Sequence, residues 1–232
     1  MDALRRKTVF SLLALPAGCG LQPLAPVRTQ VITGPSSLIQ VRPPAIGQSW
    51  TYQKLNVYNS EVVAIERETV ASISPRIILE RSTEAGMQLP QEHHLQWGQL
   101  LREPHWDMTQ NYVDAVPLWP QALAVGASSQ VRTDYRVDDF SYPFWISVQT
   151  VAKRWEKVTL PLGEFNALHI ERLIGLQHQD FTRSRTIRWE HFWLVPEIGR
   201  WVVRQLVGEY TTSGRRGGGR EDHFRWELTA WS

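Results

Sequence analysis

Alternation with a period of two dominates this chain from Gly47 onward. Its clearest instance is His223-Phe224-Arg225-Trp226-Glu227-Leu228-Thr229-Ala230. Phe224, Trp226, Leu228 and Ala230 share one face and the polar residues the other, the pattern of a strand with one side buried and one side wet. Comparable runs occupy 50–57, 61–71, 76–81, 130–137, 145–160, 165–176, 182–195 and 200–211. Turn residues separate them, among them Tyr58-Asn59-Ser60, Ser74-Pro75, Pro161-Leu162-Gly163-Glu164 and Pro196-Glu197-Ile198-Gly199. Connections this short imply antiparallel hairpins and meanders. The expectation is an all-β domain over 46–232, a curved antiparallel sheet or half-barrel of meandering hairpins. Residues 86–126 break the pattern with Pro90, Pro104, Pro117 and Pro120 and read as an irregular segment, a crossing loop or flap.

Such a sheet must be held by its core, because Cys19 is the only cysteine and no intramolecular disulfide is available. The chain has 11 Trp, a side chain that buries a large area but carries an N–H needing a partner. Most of them are expected to fill the core. Trp97, Trp106 and Trp119 lie in the irregular segment and are the candidates for a ligand groove or its lid.

The N-terminus reads as an export signal. Arg5, Arg6 and Lys7 form a positive n-region, and 8–15 is an apolar stretch too short to span a bilayer. Residues 1–18 are therefore expected to be a signal peptide. Ala17-Gly18-Cys19 resembles the lipobox of bacterial lipoproteins, in which the Cys is acylated after cleavage; Pro16 departs from it, since Leu is usual there. The resemblance implies lipid attachment at Cys19, and Gly20 after it implies sorting to the outer membrane, with the domain facing the periplasm. The following 19–45 contains five prolines and reads as a flexible tether.

Removing the signal alters the charge balance. The 25 Lys plus Arg and 23 Asp plus Glu of the whole chain, less three bases and one acid in 1–18, leave 22 of each. A neutral mature protein gives no reason to expect a nucleic-acid partner. The expected partners are the membrane, through the acyl chains, and an envelope protein or an amphiphile.

Signatures of catalysis are missing: there is no H-E-x-x-H, no G-x-S-x-G and no P-loop. His93-His94 with His105, and His169 with Glu171, match no common metal spacing, and these histidines, with His178, His191 and His223, read as surface or half-buried positions. Asp138-Asp139 and Glu190 read as solvated. No metal or cofactor is expected. The run Gly214-Arg215-Arg216-Gly217-Gly218-Gly219-Arg220 reads as a hairpin loop, with Arg215, Arg216 and Arg220 as a candidate anion-binding set.

Two hairpin sequences carry a family resemblance. The stretch 158–170, with Leu160-Pro161-Leu162-Gly163-Glu164-Phe165, and 193–204, with Val195-Pro196-Glu197-Ile198-Gly199-Arg200, resemble the paired hairpins of the TapB-like bacterial envelope proteins. Gly47-Gln48-Ser49-Trp50-Thr51-Tyr52 resembles their first strand. The resemblance implies a curved antiparallel sheet and supplies no catalytic residues. The functional expectation is a non-catalytic binding or scaffolding lipoprotein. The alternatives are a carrier of lipid or amphiphile in a Trp-lined concave sheet, and an envelope enzyme without a recognisable motif.

Overall fold

The computed structural model describes residues 22–37, 39–138, 140–213 and 217–232. Its strands are β1 (Thr29–Val31), β2 (Ser49–Asn56), β3 (Val62–Ser72), β4 (Ile77–Thr83), β5 (Gln88–His94), β6 (Gln99–Glu103), β7 (Gln110–Pro117), β8 (Ser128–Val137), β9 (Phe144–Leu160), β10 (Gly163–Leu176), β11 (Arg183–Val195), β12 (Arg200–Thr212), β13 (Gly218–Arg220) and β14 (Phe224–Trp231). The sheet is all antiparallel and goes further than a half-barrel. It runs β9-β10-β11-β12-β14-β2-β3-β4-β5-β6-β7-β8 and closes where β8 pairs β9, so twelve strands form a barrel. Closure removes the edges that an open sheet would expose.

One loose edge survives closure, and it explains a departure from the sequence reading. β9 has 17 residues and β8 only 10. β8 pairs β9 no further than Val151, which leaves the distal part of β9 without a partner from that side. Strand β1 takes it, pairing Thr29, Gln30 and Val31 with Val158, Lys157 and Glu156. The stretch read as a tether is therefore, from Gln22 onward, a strap on the barrel wall. It is pinned at one end by Leu24 N–H donating to Val57 O at 2.9 Å and at the other by Arg42 N–H donating to Pro196 O at 2.9 Å. Gly199, with φ +75°, lies so close to the strap that a Cβ there would stand 2.7 Å from Arg42 O.

The segment 86–126 is also more regular than its prolines suggest, since it supplies β5, β6 and β7 to the ring. Pro90 falls where the β4–β5 register shifts, Pro104 just after β6, and Pro117 at the last position of β7. These are sites where a missing N–H costs no ladder bond.

Turns alternate between two ends. One end, here called the near rim, gathers the β2–β3, β6–β7, β8–β9, β10–β11 and β12–β14 connections; the far rim gathers the β5–β6, β7–β8 and β11–β12 connections and the C-terminus. Along β14 the face with Trp226 and Leu228 is buried as alternation requires, but Arg225 on the opposite face is buried too, because the strap covers it and Ala25 O accepts from its guanidinium at 2.8 Å. Trp226 has 1 % of its surface exposed, and its Nε1–H donates to Glu66 Oε2 at 3.0 Å. Trp226→Ala should therefore cost roughly 3–5 kcal/mol in denaturant unfolding, while Thr229→Ala, on the exposed end of the same strand, should change stability by no more than about 0.5 kcal/mol. Similar losses at both positions would contradict the burial described.

Candidate functional site

A regular barrel of twelve strands is about 24 Å across for a strand spacing of ~4.8 Å and a tilt of ~40°. Two facing layers of aliphatic side chains fill only about 10 Å. This lumen is filled instead by the longest side chains in the repertoire, and their polar ends meet. Arg200 at the start of β12 holds Glu68 of β3 at 2.6 Å and Glu92 of β5 at 2.7 Å. Arg204, four residues further along β12, holds Glu103 at 2.8 Å and also Glu190. In the ring order β12 and β6 are diametrically opposed, so the Arg204–Glu103 pair ties opposite walls together. Arg172 joins Glu190, and Arg81 joins Glu66 at 2.7 Å.

His105 sits at the centre of this lattice. Its Nε2 is 2.9 Å from Glu68 and its Nδ1 2.7 Å from Glu103. Both ring nitrogens thus face carboxylates. The buried carboxyls of Glu66, Glu68, Glu92, Glu103 and Glu190 are met by the guanidiniums of Arg81, Arg172, Arg200 and Arg204, with His105 between Glu68 and Glu103 and His94 at 2.7 Å from Glu92. Aromatic faces complete the packing: Arg200 lies over Trp201, Trp97 and Trp50 at 5.2, 5.4 and 5.8 Å, and Tyr52 stacks on Trp201 at 4.0 Å.

At the near rim a second cluster closes the lumen. Arg188 bridges Asp107 at 2.8 Å and Glu221 at 2.6 Å, with the Trp106 ring 4.2 Å away, and Arg183 also holds Glu221 at 2.7 Å. His178 accepts the Asp180 N–H on Nδ1 at 3.0 Å and turns Nε2 toward Asp107. Burial acts to raise the Asp107 carboxyl, but the nearby His178 ring and Arg188 outweigh it and hold it well below the ordinary carboxylate range. The acids of both clusters are thus engaged by cations.

The third cluster lies outside the barrel. Below the strap, a groove of about 350 Å³ runs past Pro26, His169, His191, Trp193, Gln205 and Arg225. His169 stacks on Trp193 at 4.6 Å with the rings nearly parallel, and its Nε2 is 3.2 Å from His191 Nδ1. Glu171 stands directly across from His191 in the β10–β11 register. Burial pushes the His169 imidazole down to about 4 and lowers His191 as well, so both are neutral at physiological pH.

The residues singled out from sequence fall as follows. Cys19, Arg215, Arg216 and Asp139 lie outside the described residues. Arg220 is exposed and stands 3.8 Å from Glu209, a loose surface pair. Trp97 donates to Gly199 O at 2.9 Å and meets Trp119 edge-on, while Trp106 and Trp119 are buried, Trp106 beside a pocket of about 290 Å³ that it shares with Lys54, His105, Asp107 and Phe224. They plug the two rims, which is why they cluster in the segment that crosses from one to the other. His94, His105, His169 and His178, read as surface or half-buried positions, and Glu190, read as solvated, are wholly or almost wholly buried. Asp138 is exposed and paired to Arg102 at 2.8 Å, as a solvated loop residue should be.

No family model matches the chain, and no curated protein matches it. Two solved structures share its fold. One, from Bacteroides fragilis, is described as a protein inferred to be exported, with a YmcC-like fold; it is 13 % identical, the match covers 84 % of this chain and 100 % of that one, and the TM-score is 0.51. The other, from Parabacteroides distasonis, is described as an inferred lipoprotein; it is 10 % identical, with coverage of 85 % and 100 % and a TM-score of 0.51.

Acid should attack the lumen first. Burial acts to raise Glu68, but Arg200 and His105 hold it down at about 2, and Glu92 and Glu103 are held below the ordinary range against the same burial by Arg200 and by Arg204. Carboxylates depressed in the folded state stabilise it above their unfolded value of about 4.3 and lose that contribution as pH falls toward the folded one. Thermal melts should therefore show their steepest loss between about pH 4.5 and 2. Arg200→Met should cost roughly 3–5 kcal/mol at neutral pH by leaving Glu68 and Glu92 buried without their cation. A level curve down to pH 2, or a neutral Arg200→Met, would remove the network from the centre of stability.

Proposed function

We propose that this protein is an outer-membrane lipoprotein, acylated at Cys19, whose barrel is a non-catalytic binding or scaffolding body held with its near rim against the bilayer. The observation that carries the reading is the docking of the strap. Ser60 Oγ–H donates to Gln22 O at 2.8 Å, next to the Leu24–Val57 bond, so the chain is fixed to the β2–β3 turn from Gln22 onward. Three Cα steps separate Gln22 from Cys19, a span of at most about 11 Å. An acyl anchor on Cys19 therefore leaves no room for a swinging tether and brings the near rim to the headgroups.

The composition of that rim supports the same orientation. Tyr58, Met87, Tyr142 and Phe181 are exposed there, and Phe181 stacks on Tyr142 at 5.9 Å with 62 % of its surface free. Aromatic side chains with a wet and an apolar side favour the membrane–water boundary. The resemblance of the β9–β10 and β11–β12 hairpin sequences to TapB-like envelope proteins, and the fold shared with an inferred exported protein and an inferred lipoprotein, agree with an envelope address.

An amphiphile carrier is the less favoured reading, because Arg200, Arg204 and their carboxylates occupy the space where acyl chains would lie. Catalysis is less favoured as well. The carboxyls with a resolved shift, Glu68 and Asp107 among them, are all lowered, the opposite of the raised acid that general acid catalysis uses.

Two measurements test the proposal. Cys19→Ser should abolish fatty-acid labelling and release the protein from membranes; labelling that persists would end the lipoprotein reading. In the acylated protein bound to vesicles, a fluorophore on Phe181→Cys should shift to the blue, and one on Val125→Cys at the far rim should not. Equal responses at the two rims would refute the orientation while leaving the anchor intact.

A further inference from the structure

We propose that His169, His191 and Glu171 on the outer wall form a binding site for one divalent transition-metal ion, of which Zn²⁺ is the fitting example, with three protein ligands and a fourth position left to water. The register sets the three side chains together. Glu171 is the direct partner of His191 across the β10–β11 ladder, and His169 lies two residues before Glu171 on the same face. One ligand atom from each, a nitrogen of either histidine and an oxygen of the glutamate, lies within 4.8 Å of the other two.

The spacing fits a single ion. With Zn–N bonds of about 2.05 Å at a tetrahedral angle, two ligand nitrogens stand about 3.3 Å apart. His169 Nε2 and His191 Nδ1 are 3.2 Å apart. His191 Nδ1 lies 3.9 Å from Glu171 Oε1, which a rotation of the carboxylate by roughly 0.5 Å brings to the N–O spacing of a tetrahedral site.

A hydrogen bond between the two rings would produce a similar N–N distance, and the surroundings of His169 separate the two readings. Glu156, buried, accepts from Trp193 Nε1–H at 2.5 Å and from Arg154 at 2.5 Å, and its Oε2 lies 3.9 Å from His169 Nδ1. An acceptor-only carboxylate on that side favours the tautomer with the proton on Nδ1, which turns the Nε2 lone pair toward His191 and Glu171. At 3.9 Å Glu156 is beyond hydrogen-bond reach of Nδ1, which is buried without a partner, and a small shift of the ring would complete the carboxylate–histidine–metal arrangement in which an outer carboxylate fixes the ligand ring. The stack on Trp193 holds the ring plane, and Lys153 at 3.0 Å from Glu171 Oε2 engages the oxygen that faces away from His191 and leaves Oε1 free. Two imidazoles, one carboxylate and an open side suit Zn²⁺ over Ca²⁺ or Mg²⁺, which take oxygen ligands.

The test uses the full chain and Zn²⁺ alone, followed by calorimetric titration, with Co²⁺ absorption as a second probe. The expected result is one saturable ion per chain and a visible Co²⁺ spectrum of tetrahedral or five-coordinate intensity. His191→Ala should abolish both, and Glu156→Gln, a positioning change, should weaken binding about 10- to 100-fold. His191 is half-exposed, so its replacement should leave the metal-free melting curve in place; Glu171→Gln serves as the second variant should His191→Ala fold poorly. Binding that is absent, or that survives both His191→Ala and Glu171→Gln, overturns the site. A loss in Asp107→Ala with none in His191→Ala would move the ion to the near-rim cluster and overturn it equally.

Discussion

The width of a twelve-strand barrel is the constraint to which the rest of this structure responds. Aliphatic side chains are too short to meet across such a lumen, and an unfilled lumen would be a water-filled channel or a ligand cavity. Arginine, glutamate and tryptophan reach further, at the cost of bringing charge and N–H groups inside. Desolvation of those charges is tolerable only if they are paired and hydrogen-bonded, and here each buried guanidinium has at least one carboxylate within ion-pair distance. The Arg200 and Arg204 pairs, spaced along β12, join that strand to β3, β5, β6 and β11. They hold the cross-section because breaking one would strand a charge.

Closure of the ring has its own consequence for the N-terminus. Because β14 pairs both β12 and β2, the first and last long strands are neighbours, and the chain ahead of β2 must leave the barrel beside its own C-terminus. It then folds back along the outer wall, satisfying the spare edge of β9 and covering Arg225. The strap thus converts a loose edge into a covered one, and places Gln22 at the opposite rim from Ser49. An anchor attached just ahead of Gln22 would inherit that position, so the orientation proposed for it would follow from the mismatch in length between β8 and β9.

Strand identity was legible in the sequence, and the composition of the lumen was not, for one physical reason. Period-two alternation assigns polar residues to water, yet Glu66 and Glu68 share a phase with buried Val70, Glu190 with buried Phe192, and Arg204 with buried Leu206. A signal was present in that phasing: charges of both signs alternate with apolar residues on one face of several strands, which no solvated face requires. The opposite face of β11 carries Trp189, His191 and Trp193, so amphipathicity there is partly inverted. Prolines misled in the same way. They marked a bulge and strand ends within regular pairing, and the Pro-rich lead segment docked because an edge elsewhere was free, a fact that no local window contains.

A lumen consumed by its own ion pairs shifts any binding to the outside. The two structures of the same fold are only 13 % and 10 % identical to this chain, so the barrel shape says nothing about whether their lumens are filled in the same way. In this chain the surfaces left with unspent chemistry are the near rim, with its exposed aromatics, and the wall under the strap, with its neutral imidazoles. Both lie along the path of residues 22–31, the rim where that path begins and the groove below Leu24, Pro26 and Val27. A strap that lifted from the wall would therefore alter the near rim and the histidine groove together, which couples the two surfaces through a single element held by a few backbone bonds.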